Sequence, residues 1–194
     1  MSVSRNLSSR ESAHRLRRAA RILRDGGVLA HPTEGVWGLT CDPLQSDAVL
    51  RVLALKQRDA ARGLIVIGAS AEHLAPFVDP DALDDWQRAA ASWPGPTTWL
   101  LPARAETPWW LTGEHSTIAL RQTAHSGSAD LCNAFGGPLV STSANVSGRP
   151  PVRSAWQARA RFGDGLDFVL HGRHDHPGVP SQIRDAASGR ILRG

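Results

Sequence analysis

One lysine stands among 22 basic residues: Lys56, with arginine at the other 21 positions. An ammonium is a compact point charge, whereas a guanidinium is a planar fork. Keeping lysine at this one position marks it for chemistry, although chance or a favourable cation at a helix end would leave the same residue. Arg58 follows two positions later. Residues i and i+2 of a helix do not face each other. If both cations serve one anion, the chain must therefore leave helical geometry near Gln57. A second candidate is STSANVSGRPP, from Ser141 to Pro151. Its hydroxyls and amide can donate to phosphate oxygens without a Walker lysine, and they suit a capped turn equally well. A third is HPTEGVWGL, from His31 to Leu39, which joins a proline, a hydroxyl and two glycines. Glycine lets backbone approach a ligand closely, and it also builds ordinary turns.

Much other chemistry is excluded. Lys56 lies between Leu55 and Gln57, so no GxxxxGK[ST] loop exists. There is no GxGxxG, GxSxG, SxxK or kinase signature. Cys41 and Cys132 form no CxxC pair, which leaves neither a disulfide framework nor a zinc finger and reads as two buried thiols. His171, His174 and His176 have metal-like spacing, but they sit among Gly172, Asp175 and Gly178 and read as a polar surface loop. The seven Trp are expected mainly in the core rather than as base-stacking platforms.

The elements that must position these loops follow from the apolar pattern. Ser8 to Glu11 reads as a capping box opening a helix to about Arg24, with Leu16, Ala20 and Leu23 on one face and Gly26 and Gly27 as its stop. A helix from Ser46 or Asp47 ends in LKQR. Further helices are expected over residues 81–93, 129–135 and 154–162. Short strands are expected over 28–31, within 35–40, and over 64–67, 97–101, 117–121, 138–141, 168–170 and 191–193. The irregular alternation predicts an α/β fold with a mixed sheet.

Composition sets the frame. The chain has 194 residues, 41% hydrophobic and 21% charged, which is globular and favours one domain over residues 1–194. The longest apolar run, Gly63 to Ala69, is too short to span a bilayer, and no leader is expected. The first 24 residues hold seven Arg and one Glu, and the rest hold 15 basic and 17 acidic residues. The positive excess therefore belongs to the N-terminal segment.

The three loops occur in this order in one known family. From about Gly27 to Arg193 the chain resembles the YrdC/Sua5 family, in its short bacterial threonylcarbamoyl-AMP synthase form. The resemblance rests on HPTEGVWGL, LKQR with RGLIVI, WPGPTTWLLPA, STIALR, PLVSTSANVSG and SQIRDAASGRILR. It implies a single domain whose twisted mixed sheet, with helices packed around it, curves about a large, positively lined cavity. It implies synthesis of threonylcarbamoyl-adenylate and pyrophosphate from L-threonine, bicarbonate and ATP. A threonylcarbamoyl transferase complex would then modify N6 of adenosine 37 in tRNAs reading ANN codons. Lys56 and Arg58 are implied on the ATP phosphates as the catalytic pair. Ala60, Thr117, Ser143, Asn145, Pro151 and Arg193 are implied on nucleotide. Thr33, Arg121, Ser141 and Ser181 are implied on threonine. Mg2+ is expected through the phosphates, and the setting is cytoplasmic, with no membrane. His31, Gly35, Trp37 and Ile67 depart from the family pattern; where this chain has Ile67, longer relatives carry a His.

Two rival readings remain. One is a non-catalytic RNA-binding module using the basic N-terminal helix, with tRNA as a possible partner. The other is the carbamoyl-adenylate enzyme of hydrogenase maturation, whose added zinc-finger regions two lone cysteines cannot supply.

Overall fold

The computed structural model describes residues 2–172 and 181–193, with side chains from residue 12 onward. Its first element, α1 (Ser2–Arg24), runs straight through the expected capping box. No Gly or Pro interrupts residues 2–24, so nothing forces the start to wait for Ser8. Gly26, at φ 81°, ends the helix as expected. Ala19, Ala20 and Leu23 are buried, and α1 packs against α6 (Ser126–Phe135). His174 and His176 lie outside the described residues. Among those described, no cluster of three or more His, Cys, Asp or Glu is placed to hold a metal, and no helix is long and apolar enough to cross a membrane.

Among the described residues, nine strands form one mixed sheet: β1 (Leu29–Pro32), β2 (Trp37–Thr40), β3 (Ile65–Gly68), β4 (Thr97–Pro102), β5 (Thr117–Gln122), β6 (Leu139–Ser143), β7 (Phe168–Val169), β8 (Gln182–Asp185) and β9 (Ile191–Arg193). Their order is β7-β1-β2-β6-β3-β5-β4-β8-β9. The β1–β7, β3–β5 and β4–β8 pairs are parallel, and the rest are antiparallel. The β8 strand was not foreseen, because QIRD carries no apolar alternation strong enough to mark it. The remaining helices are α2 (Ser46–Lys56), α3 (Ala71–Leu74), α4 (Leu83–Ala90), α5 (Trp109–Thr112) and α7 (Ala155–Phe162). The expected helix over 81–93 thus shortens to α4.

The strand period of two separates two faces. Val66, Leu120 and Val140 enter the larger core with Ile118, Trp99 and Leu101. Ile67 and Leu139 enter a smaller cluster with Ala19, Leu23, Leu29 and Leu131, covered by α1 and α6. Burying each such leucine contributes roughly 1.5–3 kcal/mol. On the face of that smaller cluster, Ile65 on β3 and Ser141 on β6 lie two residues from Ile67 and Leu139, and both line a cavity, with Ile65 also packed against the cluster. The helices therefore fill one end of this sheet face and leave the other open. Ile67 is wholly buried at the filled end and is not among the cavity residues. Trp37 and Trp99 are buried as core residues, whereas Trp109 and Trp156 are exposed.

Candidate active site

The cavity holds about 750 Å³. The loop after β1 supplies Thr33, Glu34, Gly35 and Val36. The turn after α2 supplies Arg58, Arg62 and Gly63, and β5 and β6 supply Thr117, Arg121, Ser141 and Ser143. Ser181 and Arg193 close it from the C-terminal segment, where an Arg193 nitrogen donates to the Ser181 carbonyl at 3.0 Å. Among the described residues, four arginines stand in its lining against one carboxylate, Glu34.

The break at Gln57 is the local device that frees Arg58. Gln57 adopts φ 48° and ψ 46°, the left-handed region, and is the one non-glycine residue with positive φ among those described. Lys56 is the last residue of α2, and beyond Gln57 the chain turns Arg58 toward the cavity. The chain leaves helical geometry where the spacing suggested, and it carries Arg58 into the lining while Lys56 stays behind it. Arg58 donates to the Gly63 carbonyl at 3.0 Å, and its Nε is buried with no hydrogen-bond partner. Burial, then Arg62 and Arg193 nearby, lower its pKa from the ordinary arginine value. Three guanidiniums that disfavour one another's charge form a ready seat for a polyanion. Gly63 has φ 61°, and a Cβ there would lie 2.8 Å from the Leu111 and Thr112 carbonyls, so α5 packs directly on this turn.

Lys56 is 3% exposed and does not line the cavity. Its Nζ donates to the Ser143 carbonyl, to the Asn145 carbonyl at 3.0 Å, and to Asn145 Oδ1 at 3.4 Å. The resemblance gave Lys56 to phosphate. In this structure the ammonium is engaged by protein oxygens, because the loop after β6 closes over the end of α2. Ser143 Oγ donates to Asn145 Oδ1 at 2.5 Å, and Ser147 N donates to the Lys56 carbonyl at 2.8 Å. Burial, then Arg58, pushes the Lys56 pKa down to about 8.

Opposite stands a different wall. Arg121 is 5% exposed, and one of its terminal nitrogens lies 3.2 Å from Glu34 Oε2. Burial raises the Glu34 pKa. Arg121 and the hydrogen bond from Thr123 oppose that, and the net result is below the ordinary carboxylate value. The pKa of Arg121 is lowered by burial, supported by Glu34 and lowered again by Arg193, yet an arginine remains charged. Thr33 Oγ1 donates to the Val36 carbonyl at 2.7 Å, and Ser141 is buried beside β3.

Eight of the expected site residues therefore meet in one cavity: Thr33, Arg58, Thr117, Arg121, Ser141, Ser143, Ser181 and Arg193. Lys56 and Asn145 form the layer behind Ser143. Ala60 begins the turn that carries Arg62, and Pro151 lies where the loop returns, just before Val152 N bonds the Ala144 carbonyl. Glu34 and Arg62 were not assigned from sequence, although both lie inside quoted motifs. Of the family departures, Gly35 lines the cavity, whereas His31 and Trp37 are buried in β1 and β2.

The family model Sua5_yciO_yrdC, described as telomere recombination, matches residues 21–194. A threonylcarbamoyl-AMP synthase of Cellvibrio japonicus is 48% identical, over 92% of this chain and 95% of that one. A threonylcarbamoyl-AMP synthase of Klebsiella pneumoniae is 46% identical, over 98% of this chain and 99% of its own. Among solved structures, P. abyssi Sua5 complexed with L-threonine superposes with a TM-score of 0.80 at 34% identity. That match covers 88% of this chain but spans about half of the P. abyssi chain, 50%. E. coli YciO shares the fold with a TM-score of 0.80 at 23% identity. With its motifs gathered around one cavity and its relatives alike over nearly their whole length, the chain belongs to the Sua5/YciO/YrdC family.

Proposed function

We propose that this cavity makes threonylcarbamoyl-adenylate and pyrophosphate from L-threonine, bicarbonate and ATP. One observation carries the reading: two anion-binding walls, Arg58 with Arg193 and Arg121 with its hydroxyls, share a single cavity. The kinship with threonylcarbamoyl-AMP synthases supports the same reading. Threonine's amine and bicarbonate form a carbamate with loss of water. A carbamate oxygen attacks the α-phosphorus, the bond to the bridging oxygen breaks, and pyrophosphate leaves. No protein nucleophile takes part. The protein's work is to orient two anions against each other and to neutralise phosphate charge.

Arg121 would clamp the threonine carboxylate as a fork, with Thr33, Ser141 and Ser181 offering hydroxyls to the rest of the substrate. Arg58, Arg193, Thr117 and the Ser143 to Asn145 loop would hold nucleotide, with Ala60 and Pro151 flanking it. Lys56 would add its charge from beneath that loop. Mg2+ enters with ATP as part of the substrate: the single carboxylate lining the cavity among the described residues is already paired with Arg121, so phosphate oxygens would be its ligands.

The adenylate would pass to a threonylcarbamoyl transferase complex acting on adenosine 37 of tRNA, in the cytoplasm. The arginines of α1 would add weak, salt-sensitive tRNA affinity. The test is incubation with ATP, labelled bicarbonate and each amino acid in turn, with product mass as readout. Labelled threonylcarbamoyl-AMP formed with threonine is the expected result. Threonine-independent pyrophosphate release, or a product without label, would overturn the reading.

A further inference from the structure

Beside the cavity lies a buried polar relay built on Glu34 and Thr123, neither of which is among the site residues that the resemblance implied. Glu34 hangs from the loop after β1, and Thr123 follows β5, two residues beyond Arg121. The Thr123 hydroxyl donates to Glu34 Oε1 at 2.5 Å, and the other carboxylate oxygen faces Arg121 at 3.2 Å. All three residues are more than nine-tenths buried: Thr123 is 3% exposed, Arg121 5% and Glu34 8%.

The direction of the relay is fixed at its far end. Thr123 Oγ1 accepts from the His125 backbone N–H at 3.2 Å, so its one proton is aimed at Glu34. The Thr123 N–H is tied to the Gly68 carbonyl at 3.0 Å, which pins the residue to the end of β3. His125 in turn caps α6 by accepting from Ser128 N at 3.1 Å. Thr123 is thus held by backbone groups on both sides, and its hydroxyl gives the carboxylate a fixed anchor. Arg121, at the near end, keeps its Nε buried and without a hydrogen-bond partner. Glu34 Oε2 likewise makes no hydrogen bond, so the two side chains meet as an ion pair and the guanidinium, with five donors, keeps capacity for a second anion. Glu34 and Arg121 line the cavity, whereas Thr123 does not. Whatever Thr123 does for a ligand, it does through Glu34.

We infer that Glu34 is a positioning residue: anchored by the Thr123 hydroxyl, it holds the Arg121 guanidinium in the orientation that receives a substrate carboxylate. The inference rests on the proposed threonine-carboxylate role of Arg121. Glu34 compensates the buried charge while the site is empty, and it sets the plane in which the fork meets the incoming carboxylate.

The test compares binding of L-threonine with that of L-threoninamide, which lacks the carboxylate, by calorimetry on the full chain. Threonine-dependent pyrophosphate release is measured alongside. Thr123→Val keeps the shape and removes the hydroxyl, Thr123→Ser keeps the hydroxyl, Glu34→Gln removes the charge, and Arg121→Gln is the control. In Thr123→Val and Glu34→Gln the preference for threonine over threoninamide should shrink by about tenfold, with KM for threonine rising and KM for ATP changing by less than about twofold. Thr123→Ser should retain the wild-type preference. A merely loosened wall would weaken both ligands, and ATP, together. Wild-type preference in Thr123→Val and Glu34→Gln, or parallel loss of both ligands without rescue in Thr123→Ser, overturns the inference. Should Arg121→Gln alone abolish the preference, only the relay fails. Should Arg121→Gln change nothing, the threonine reading of Arg121 fails first and the relay with it.

Discussion

At the end of α2, the ammonium of Lys56 faces three oxygens that carry no formal charge, two backbone carbonyls and an amide. Across the cavity, the Arg121 guanidinium faces the carboxylate of Glu34. Both cations are almost wholly buried, yet they are satisfied in different ways. Around Lys56 the charge is not cancelled, and Arg58, Arg62 and Arg193 stand in the adjoining cavity lining. That region keeps a positive field. Around Arg121 one carboxylate pairs the charge, with Arg193 near enough to act on Arg121 as it does on Arg58, and the hydroxyls of Thr33, Ser141 and Ser181 lie in the same lining. A wall with excess charge suits a polyphosphate, and a paired, hydrogen-bonding wall suits a small zwitterion.

The largest effect should come from the uncompensated side. Lys56→Ala takes the ammonium away from the Ser143 and Asn145 carbonyls, the former keeping the Asn145 N–H, and removes a charge from beneath the nucleotide loop. Threonylcarbamoyl-AMP formation, followed by product mass, should fall by on the order of a hundredfold or more. Turnover near wild type at saturating ATP would erase the distinction between the walls.

The paired side predicts selectivity of nearly the same size. A site that hydrogen-bonds a substrate hydroxyl rejects the isostere without it far better than it rejects a missing methyl. Threonine should be used best and serine less well, and valine should be poorer by roughly a hundredfold or more in kcat/KM. Equal rates for threonine and valine would show that this wall reads shape alone.

Arg58→Lys should raise KM for ATP by about tenfold, since a fork becomes a point charge, and should leave KM for threonine nearly unchanged. A rise in both would mean that the walls are not separate sites.

A pH series sharpens the contrast further. With its pKa near 8, Lys56 loses its proton in the folded enzyme before it would in the unfolded chain. Between about 8 and the ordinary lysine value the unfolded state binds more protons, so this group makes stability rise with pH in that window. Pyrophosphate release should decline as pH rises through about 8, while the lysine contributes no loss of melting temperature. A fall in both together would assign the decline to unfolding instead.

The smallest effect is expected on α1, none of whose described residues lines the cavity. Arg18 lies 5.2 Å from the Phe168 ring centre, and Arg17 and Arg21 are exposed. Replacing Arg15, Arg17, Arg18 and Arg21 with Gln should change adenylate synthesis by less than about twofold. It should also flatten the salt dependence of tRNA binding measured by anisotropy. Loss of synthesis would draw α1 into the site.

Much of this arrangement was legible beforehand, for identifiable reasons. A break near Gln57 was expected if Lys56 and Arg58 served one anion; the break is there, and it turns Arg58 alone into the cavity lining. The apolar runs marked most strands because alternation and short buried stretches are local signals. The start of α1 was misplaced because a capping box is permissive: it can open a helix but cannot keep one from starting earlier. Glu34 was passed over because its meaning depends on Thr123, 89 residues away. No local pattern announces a partner at that distance.

The sequence by itself determined which chemistries were available: one ammonium among guanidiniums, a hydroxyl-rich loop after a strand, and no nucleophile motif or P-loop. Only the tertiary structure decided how each cation is used. Lys56 meets a carbonyl 87 residues away in sequence, and Arg121 meets a carboxylate on another strand's loop. Charge type is a property of the residue, but compensation is a property of neighbours. Those neighbours are set by the register of β3, β5 and β6 and by the packing of α1 and α6 that leaves one end of the sheet open.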